Sequence, residues 1–351
     1  MPQIEKKPWI ETPLIESASL SKTAGCKVFL KLELLQPSGS FKSRGIGNLI
    51  RNALQNAENE NKELHFYISS GGNAGLAAVI AARDLNCPCT VVVPHSTKPM
   101  MVAKLHQAGA ADVVQHGDSW FEADAHLRKT FIDDQDVKTA TKKNIYIPPF
   151  DHPDVWEGAG TMVDELAKQL PPREGSFPAD VVVCSVGGGG LFTGIIGGLD
   201  RHLSQLQQEK RKVRVLAVET KGADSLALSL RNGSLQSLSA ITSLATSLGA
   251  LRVAPQAYKN AHAPPAGVDV TSVVGSDADA AKGIIRLADD LRLQVELSCG
   301  ISVEIGSSAT LKKYVPELTP ETRVVIVVCG GSNITAEMIA EYRQKLQDGW
   351  N

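Results

Sequence analysis

Lys42 follows a turn of small residues, Pro37-Ser-Gly-Ser-Phe41, and precedes a helix-forming stretch. An amine so placed can condense with an aldehyde to form an imine. Ser38, Gly39 and Ser40 allow a ligand to approach the backbone closely, and Phe41 offers a flat face to an aromatic ring. An arbitrary lysine is a solvated surface residue; it is the surrounding turn that argues for chemistry here. Gly187 to Gly190 is a second candidate. Four glycines leave their N–H groups unobstructed, and the helix that begins at Leu191 presents its positive end, so together they can cup a phosphate. Taken alone, the run reads equally well as a tight structural turn. Ser69 to Gly75 is a third candidate, suited to a carboxylate: consecutive small residues expose N–H donors, while Ser70 and Asn73 add side-chain donors. A helix N-cap is the alternative reading of that stretch. Cys329 closes an apolar run. Opposite an aromatic ring nitrogen, a thiol would neither force protonation, as a carboxylate does, nor strongly repel it; on its own, a strand cysteine is core packing.

Several other chemistries are excluded. No G-x-G-x-x-G register fits, because Gly188 and Gly190 are followed by Thr193, although Glu219 at the end of the next strand could imitate a ribose-binding acid. There is no Gly-Lys pair for a Walker loop, and no H-E-x-x-H, G-x-S-x-G or H-R-D. Thirty-six basic against thirty-eight acidic residues, a formal charge of -2, leave no basic footprint for nucleic acid. The six cysteines are scattered, and Cys87 and Cys89 lack a nearby His pair, so reduced thiols in a cytoplasmic protein are expected rather than disulfides or zinc. No secretory leader is expected before Trp9, and no apolar run approaches the ~18 residues of a membrane span.

The elements that must position these residues recur as a short β-rich run, a turn of Gly, Ser and Asn, and a helix-forming stretch. The runs Lys27 to Leu32, His65 to Ile68, Val181 to Val186 and Val324 to Cys329 lead into the four motifs; Thr90 to Val93 and Val213 to Val218 add further units, while Leu226 to Ile241 can be helix or loop. That grammar predicts an α/β protein of two domains, each an open, twisted, mostly parallel sheet flanked by helices, with ligands at the C-terminal ends of the strands. Punctuation at Pro148-Pro149 places a smaller domain at 42–146 and a larger one at 1–41 plus 147–351.

Taken together, Pro37-Ser-Gly-Ser-Phe-Lys42, Ser69-Ser-Gly-Gly-Asn-Ala-Gly75, Gly187 to Gly190 and Cys329-Gly-Gly-Ser-Asn333 resemble the L-serine dehydratases of the fold-type II pyridoxal-phosphate enzymes, which share the tryptophan synthase β-like fold. The match runs in order over nearly the whole chain. It implies that Lys42 is the catalytic residue and holds pyridoxal phosphate as a Schiff base, that Phe41 packs against the ring, and that Asn73 contacts its 3'-hydroxyl. It also implies that Gly187, Gly188, Gly189, Gly190 and Leu191 bind the phosphate, that Cys329 faces the ring nitrogen, and that Ser70, Gly71, Asn73 and Ala74 receive the substrate carboxylate. A monovalent cation, K+, would sit at Gly187, Glu219, Ala223, Ser225 and Leu248. The implied reaction is β-elimination of L-serine to pyruvate and ammonia, with L-threonine going to 2-oxobutanoate, in a homodimer; the cofactor phosphate would protonate the leaving hydroxide. A threonine-preferring deaminase, a serine racemase and a non-catalytic amino-acid-binding protein are the alternatives. Three positions depart from the pattern: Gly71 stands where alanine occurs in other serine dehydratases, Ser247 where an apolar residue is expected against the second ring face, and Leu297 where proline often follows the glutamate matched by Glu296.

Overall fold

The computed structural model describes residues 6–133, 141–206 and 211–350. They form ten strands: β1 Leu14–Glu16, β2 Lys27–Lys31, β3 Glu63–Ile68, β4 Cys89–Val93, β5 Asp112–Gln115, β6 Lys142–Tyr146, β7 Val181–Ser185, β8 Val213–Thr220, β9 Val268–Gly275 and β10 Arg323–Val327. The chain divides into two compact units, one made of Gln36–Gly158 with the described part of Met1–Ile10, the other of Glu11–Leu35 with Ala159–Asn351.

The first unit holds a four-stranded sheet in the order β5-β4-β3-β6, with every neighbouring pair parallel. All five residues of β4 are buried, as a parallel strand covered on both faces requires. Its core joins Ile46, Leu49 and Ile50 of helix Lys42–Gln55 to Ala74, Ala77 and Ala78 of helix Asn73–Asp84 and to Phe66 and Val91 of the sheet. The alanine-rich face of the second helix lets the two pack closely. The expected 42–146 boundary is too narrow at both ends. Pro8 and Trp9 sit against Gly47, and Gln36 exchanges two hydrogen bonds with the Ile10 backbone, at 2.9 and 3.0 Å. The other edge falls inside helix Pro153–Gln169, past the Pro148-Pro149 punctuation. Its first turns belong to this unit because Val155 is part of the core and a Cβ on Gly158 would meet the Arg44 carbonyl at 2.4 Å.

The second unit holds a six-stranded sheet in the order β1-β2-β10-β7-β8-β9, with only the β1–β2 pair antiparallel. β7 is buried throughout. Beside the sheet, a fully buried Lys31 ammonium bonds Glu165 (2.5 Å), the Thr12 carbonyl (2.7 Å) and Gln169 (2.8 Å). A buried charge is tolerated only when partnered in this way. The segment left open at 226–241 begins as helix Ser225–Arg231 and continues without regular structure apart from turns and bends. Among the described residues, no helix is long and apolar enough to cross a membrane.

Candidate active site

In the first unit Lys42 opens helix Lys42–Gln55. The turn before it is ordered by its own serines: Ser43 Oγ donates to Ser38 Oγ (2.8 Å) and accepts from the Ser38 N–H (3.1 Å), and Gly39 takes a positive φ of 73°. The lysine is half-buried, its Nζ donating to the Pro149 carbonyl at 2.6 Å and lying 5.4 Å from the centre of the Phe41 ring. The amine is thus held by the protein instead of projecting into bulk water.

Ser69 to Gly72 join β3 to helix Asn73–Asp84, so Asn73 and Ala74 begin a helix whose cap, Gly72, offers no side-chain acceptor. Ser70 Oγ accepts from the Gly72 N–H at 3.4 Å. Among the described residues the N–H groups of Ser70 and Gly71 donate to no acceptor. With the helix N-terminus behind them, they make a row of donors of the kind that suits an anion. A Cβ on Gly71 would lie 2.6 Å from Thr97 Cγ2; Thr97 therefore occupies the space that an alanine methyl would fill.

In the second unit Gly187 to Gly190 connect β7 to helix Gly190–Leu203. Gly189 has φ 92°, and a Cβ there would approach Ala257 Cβ to 2.4 Å, so the conformation and the space both demand glycine. Among the described residues none of the N–H groups from Gly187 to Leu191 donates to a backbone carbonyl. In the first helical turn the buried Thr193 hydroxyl also lacks a partner. A Cβ on Gly187 would touch the Leu248 backbone at 3.0–3.3 Å, which brings two of the expected cation positions together.

Glu219, the third of those positions, is fully buried at the end of β8 and accepts the N–H groups of Leu226 and Ala227, both at 2.8 Å, so it caps helix Ser225–Arg231. Burial pushes its carboxyl up to about 8 despite those two donors. Ala223 lies in the turn beside it and Ser225 opens the helix, and the buried Ser225 hydroxyl has no partner among the described residues. Among the described residues no group of three or more His, Cys, Asp or Glu could hold a metal; a site built from carbonyls would not require one.

Cys329 follows β10, the strand next to β7, so its loop and the glycine turn leave adjacent parallel strands at the same end of the sheet. Its thiol meets the Ser185 hydroxyl at 3.6 Å and the thiol of Cys299, which burial pushes well above its usual range. Sequence reasoning missed Cys299, which looks like an ordinary apolar residue of helix Leu297–Ser307. It also left Glu296 without a role. That carboxylate is buried, accepts the Ser247 hydroxyl and the Asn333 N–H (2.7 Å), and lies where any Cβ on Gly331 would strike it. Ser247, exposed in its turn, is thereby oriented by a carboxylate.

Two sheets, one parallel and one parallel but for its β1 edge, a lysine at a helix start and a glycine cup at a strand end define a class. The chain belongs to the family of pyridoxal-phosphate-dependent enzymes, whose sequence pattern matches residues 6–330. Within it, the chain is 43% identical over 332 residues to an L-serine dehydratase of Saccharomyces cerevisiae, covering 93% of this chain and 94% of that one. It is 38% identical to the L-serine dehydratase/L-threonine deaminase of Bos taurus, covering 97% of each. The crystal structure of an L-serine ammonia-lyase from Rhizomucor miehei superposes with a TM-score of 0.83 at 31% identity, covering 97% of this chain and 99% of that one. The residues present fit the cofactor: N–H groups that meet no backbone acceptor among the described residues line a turn in which Gly187 and Gly189 leave no room for a side chain, which suits its phosphate.

Proposed function

We propose that the protein converts L-serine to pyruvate and ammonia, the water lost in the β-elimination being returned on hydrolysis of the released enamine, and converts L-threonine to 2-oxobutanoate and ammonia by the same route. The observation that carries this reading is the pairing, on neighbouring strands β7 and β10, of a tetraglycine anion cup with a thiol instead of a carboxylate. When bound, the cofactor draws electrons from the substrate's amino carbon and so acidifies its Cα–H. Lys42 would hold the cofactor, and its Nζ is the base that would accept the Cα proton. Phe41 flanks the ring, and Asn73 orients its hydroxyl. The N–H groups from Gly187 to Leu191 hold the phosphate. Cys329, a weak donor, would face the ring nitrogen without forcing its protonation as a carboxylate does, a setting that suits loss of the β-hydroxyl over reprotonation at Cα. Ser70, Gly71, Asn73 and Ala74 take the carboxylate.

Threonine is included because a pocket gains only about 1–3 kcal/mol of discrimination from one methyl. A 37% identical relative in Saccharomyces cerevisiae is a catabolic L-serine/threonine dehydratase. A K+ ion at Glu219 and the neighbouring carbonyls, a homodimeric assembly and a cytoplasmic setting complete the proposal. The test is 2-oxo acid production from L-serine, L-threonine and D-serine by the purified protein beside Lys42→Ala. Pyruvate from L-serine and none from the variant is expected; a variant that keeps both the visible chromophore and the parental rate overturns the role of Lys42.

A further inference from the structure

The loop read as the carboxylate site is gripped from behind by a helix that plays no part in that reading. Ser69, immediately before Ser70, is almost fully buried. Its carbonyl accepts the indole N–H of Trp120 at 2.6 Å, and its hydroxyl donates to Asp124 Oδ1. The same Oδ1 accepts the Tyr146 hydroxyl at 2.8 Å, and Oδ2 accepts Arg128 Nε at 2.8 Å. The Arg128 guanidinium lies 3.8 Å from the centre of the Tyr146 ring. Asp124 is buried, so its charge rests on these three donors. Burial and then Asp124 itself push Tyr146 up to about 12, which keeps its hydroxyl a donor.

The helix Trp120–Leu127 is in turn set by a capping box, in which Glu122 N–H donates to Ser119 Oγ while the Glu122 carboxylate accepts the N–H groups of Ser119 (3.0 Å) and Asp118 (2.6 Å). Trp120 and Asp124 are one turn apart, hence on one face. In a planar trans peptide the Ser69 carbonyl and the Ser70 N–H point in opposite directions. A donor that pins that carbonyl from one side therefore aims the Ser70 N–H to the other, and this N–H is one of the two in the loop with no acceptor among the described residues.

We infer that Asp124 and Trp120 are positioning residues for substrate recognition: by holding both polar groups of Ser69 they pre-aim the Ser70 and Gly71 N–H groups at the substrate carboxylate. The inference rests on the carboxylate-loop reading given above. It predicts a defect specific to ligands that carry a carboxylate. The holoenzyme is titrated, by its visible absorbance, with L-alanine, which has a carboxylate but no β-hydroxyl to lose, and with L-alaninamide, which lacks the carboxylate.

Asp124→Ala is expected to weaken L-alanine by about tenfold or more, the loss of a charge-assisted hydrogen bond, and to change L-alaninamide less than about twofold. Trp120→Phe should show the same selectivity at a smaller amplitude, and Asp124→Asn, which keeps an acceptor for Ser69 and Tyr146, should recover most of the loss. With L-serine as substrate, KM should rise while kcat stays within about threefold. If Asp124→Ala does not fold, as judged by thermal melting, Trp120→Phe and Asp124→Asn decide the matter. Equal weakening of both ligands, or of neither, overturns the inference. Wild-type protein that binds the amide as tightly as the amino acid instead overturns the carboxylate-loop reading on which it rests.

Discussion

Gly189→Ala is the sharpest test of the anion cup. At φ 92° an L-residue costs about 1–2 kcal/mol relative to glycine. The new methyl would also lie 2.4 Å from Ala257 Cβ and 3.2 Å from Val253 Cγ2, an overpacking that costs about 1–3 kcal/mol. The turn must either bear about 2–5 kcal/mol of strain or open and lose its inward N–H array. Taken wholly from cofactor binding, that is a rise in Kd of about 30-fold to several thousand-fold. The assay is equilibrium titration of the apo-protein with pyridoxal phosphate, read by visible absorbance, together with the increase in Tm that the cofactor confers. Combining the change with Ala257→Gly in a double-mutant cycle isolates the steric part, expected as a coupling of about 1–3 kcal/mol. A variant with unchanged Kd and unchanged Tm would refute the reasoning, and a coupling of zero would show that the clash is not what excludes a side chain.

Three further outcomes are expected. Lys31→Met should destabilise the fold in urea by about 3–5 kcal/mol because it leaves Glu165 buried without its cation, and Lys31→Met with Glu165→Leu should be less damaging than the single change. Glu219 makes stability depend on pH: its folded pKa of about 8 lies above the ordinary 4.5, so the folded state keeps a proton that the unfolded chain releases. In buffer free of the K+ proposed for this site, which would hold the carboxylate ionised, its contribution, on the order of 5 kcal/mol, is fully present below about pH 4.5 and lost as pH rises through 8, and Glu219→Gln should flatten urea midpoints measured across that window. Gly331→Ala, at φ 115° and with its methyl 2.3–2.4 Å from the Glu296 carboxyl atoms, should lower Tm and weaken cofactor binding; an unchanged melting curve would contradict the tight closure of that loop.

Strands such as β4 and β7 were legible because an unbroken β-branched run bounded by turn residues has few other uses. The glycine cup and the Lys42 turn were legible for the same reason: small residues in a row are costly unless the backbone itself has a function. The stretch after Ser225 was not, because the group that caps its helix, Glu219, sits on the preceding strand, and a tertiary cap leaves no local signature. Glu296 and Ser247 are 49 residues apart in sequence and their bond exists only in the fold. Asp124 was hidden differently: spaced four residues from Trp120 and from Arg128, it reads as a surface helix position with an ion pair, and only burial shows that it serves Ser69. The wider first unit follows the same logic, since proline punctuation marks where a chain turns, not which core the next helix enters.

The order of strands in the larger sheet bears on how the polypeptide matures as it leaves the ribosome. β2, made near the beginning, has β10, made near the end, wedged between it and β7, so its central ladder must wait until some three hundred residues of chain have emerged. The four strands of the other sheet all fall within 63–146, and the core beside them is complete once Val155 and Gly158 have followed. Nascent β2 is left with an open edge for most of translation, and β7 from its own synthesis until β10 emerges, which makes the growing chain a client for chaperones over that interval and makes premature termination before Arg323 a source of aggregates.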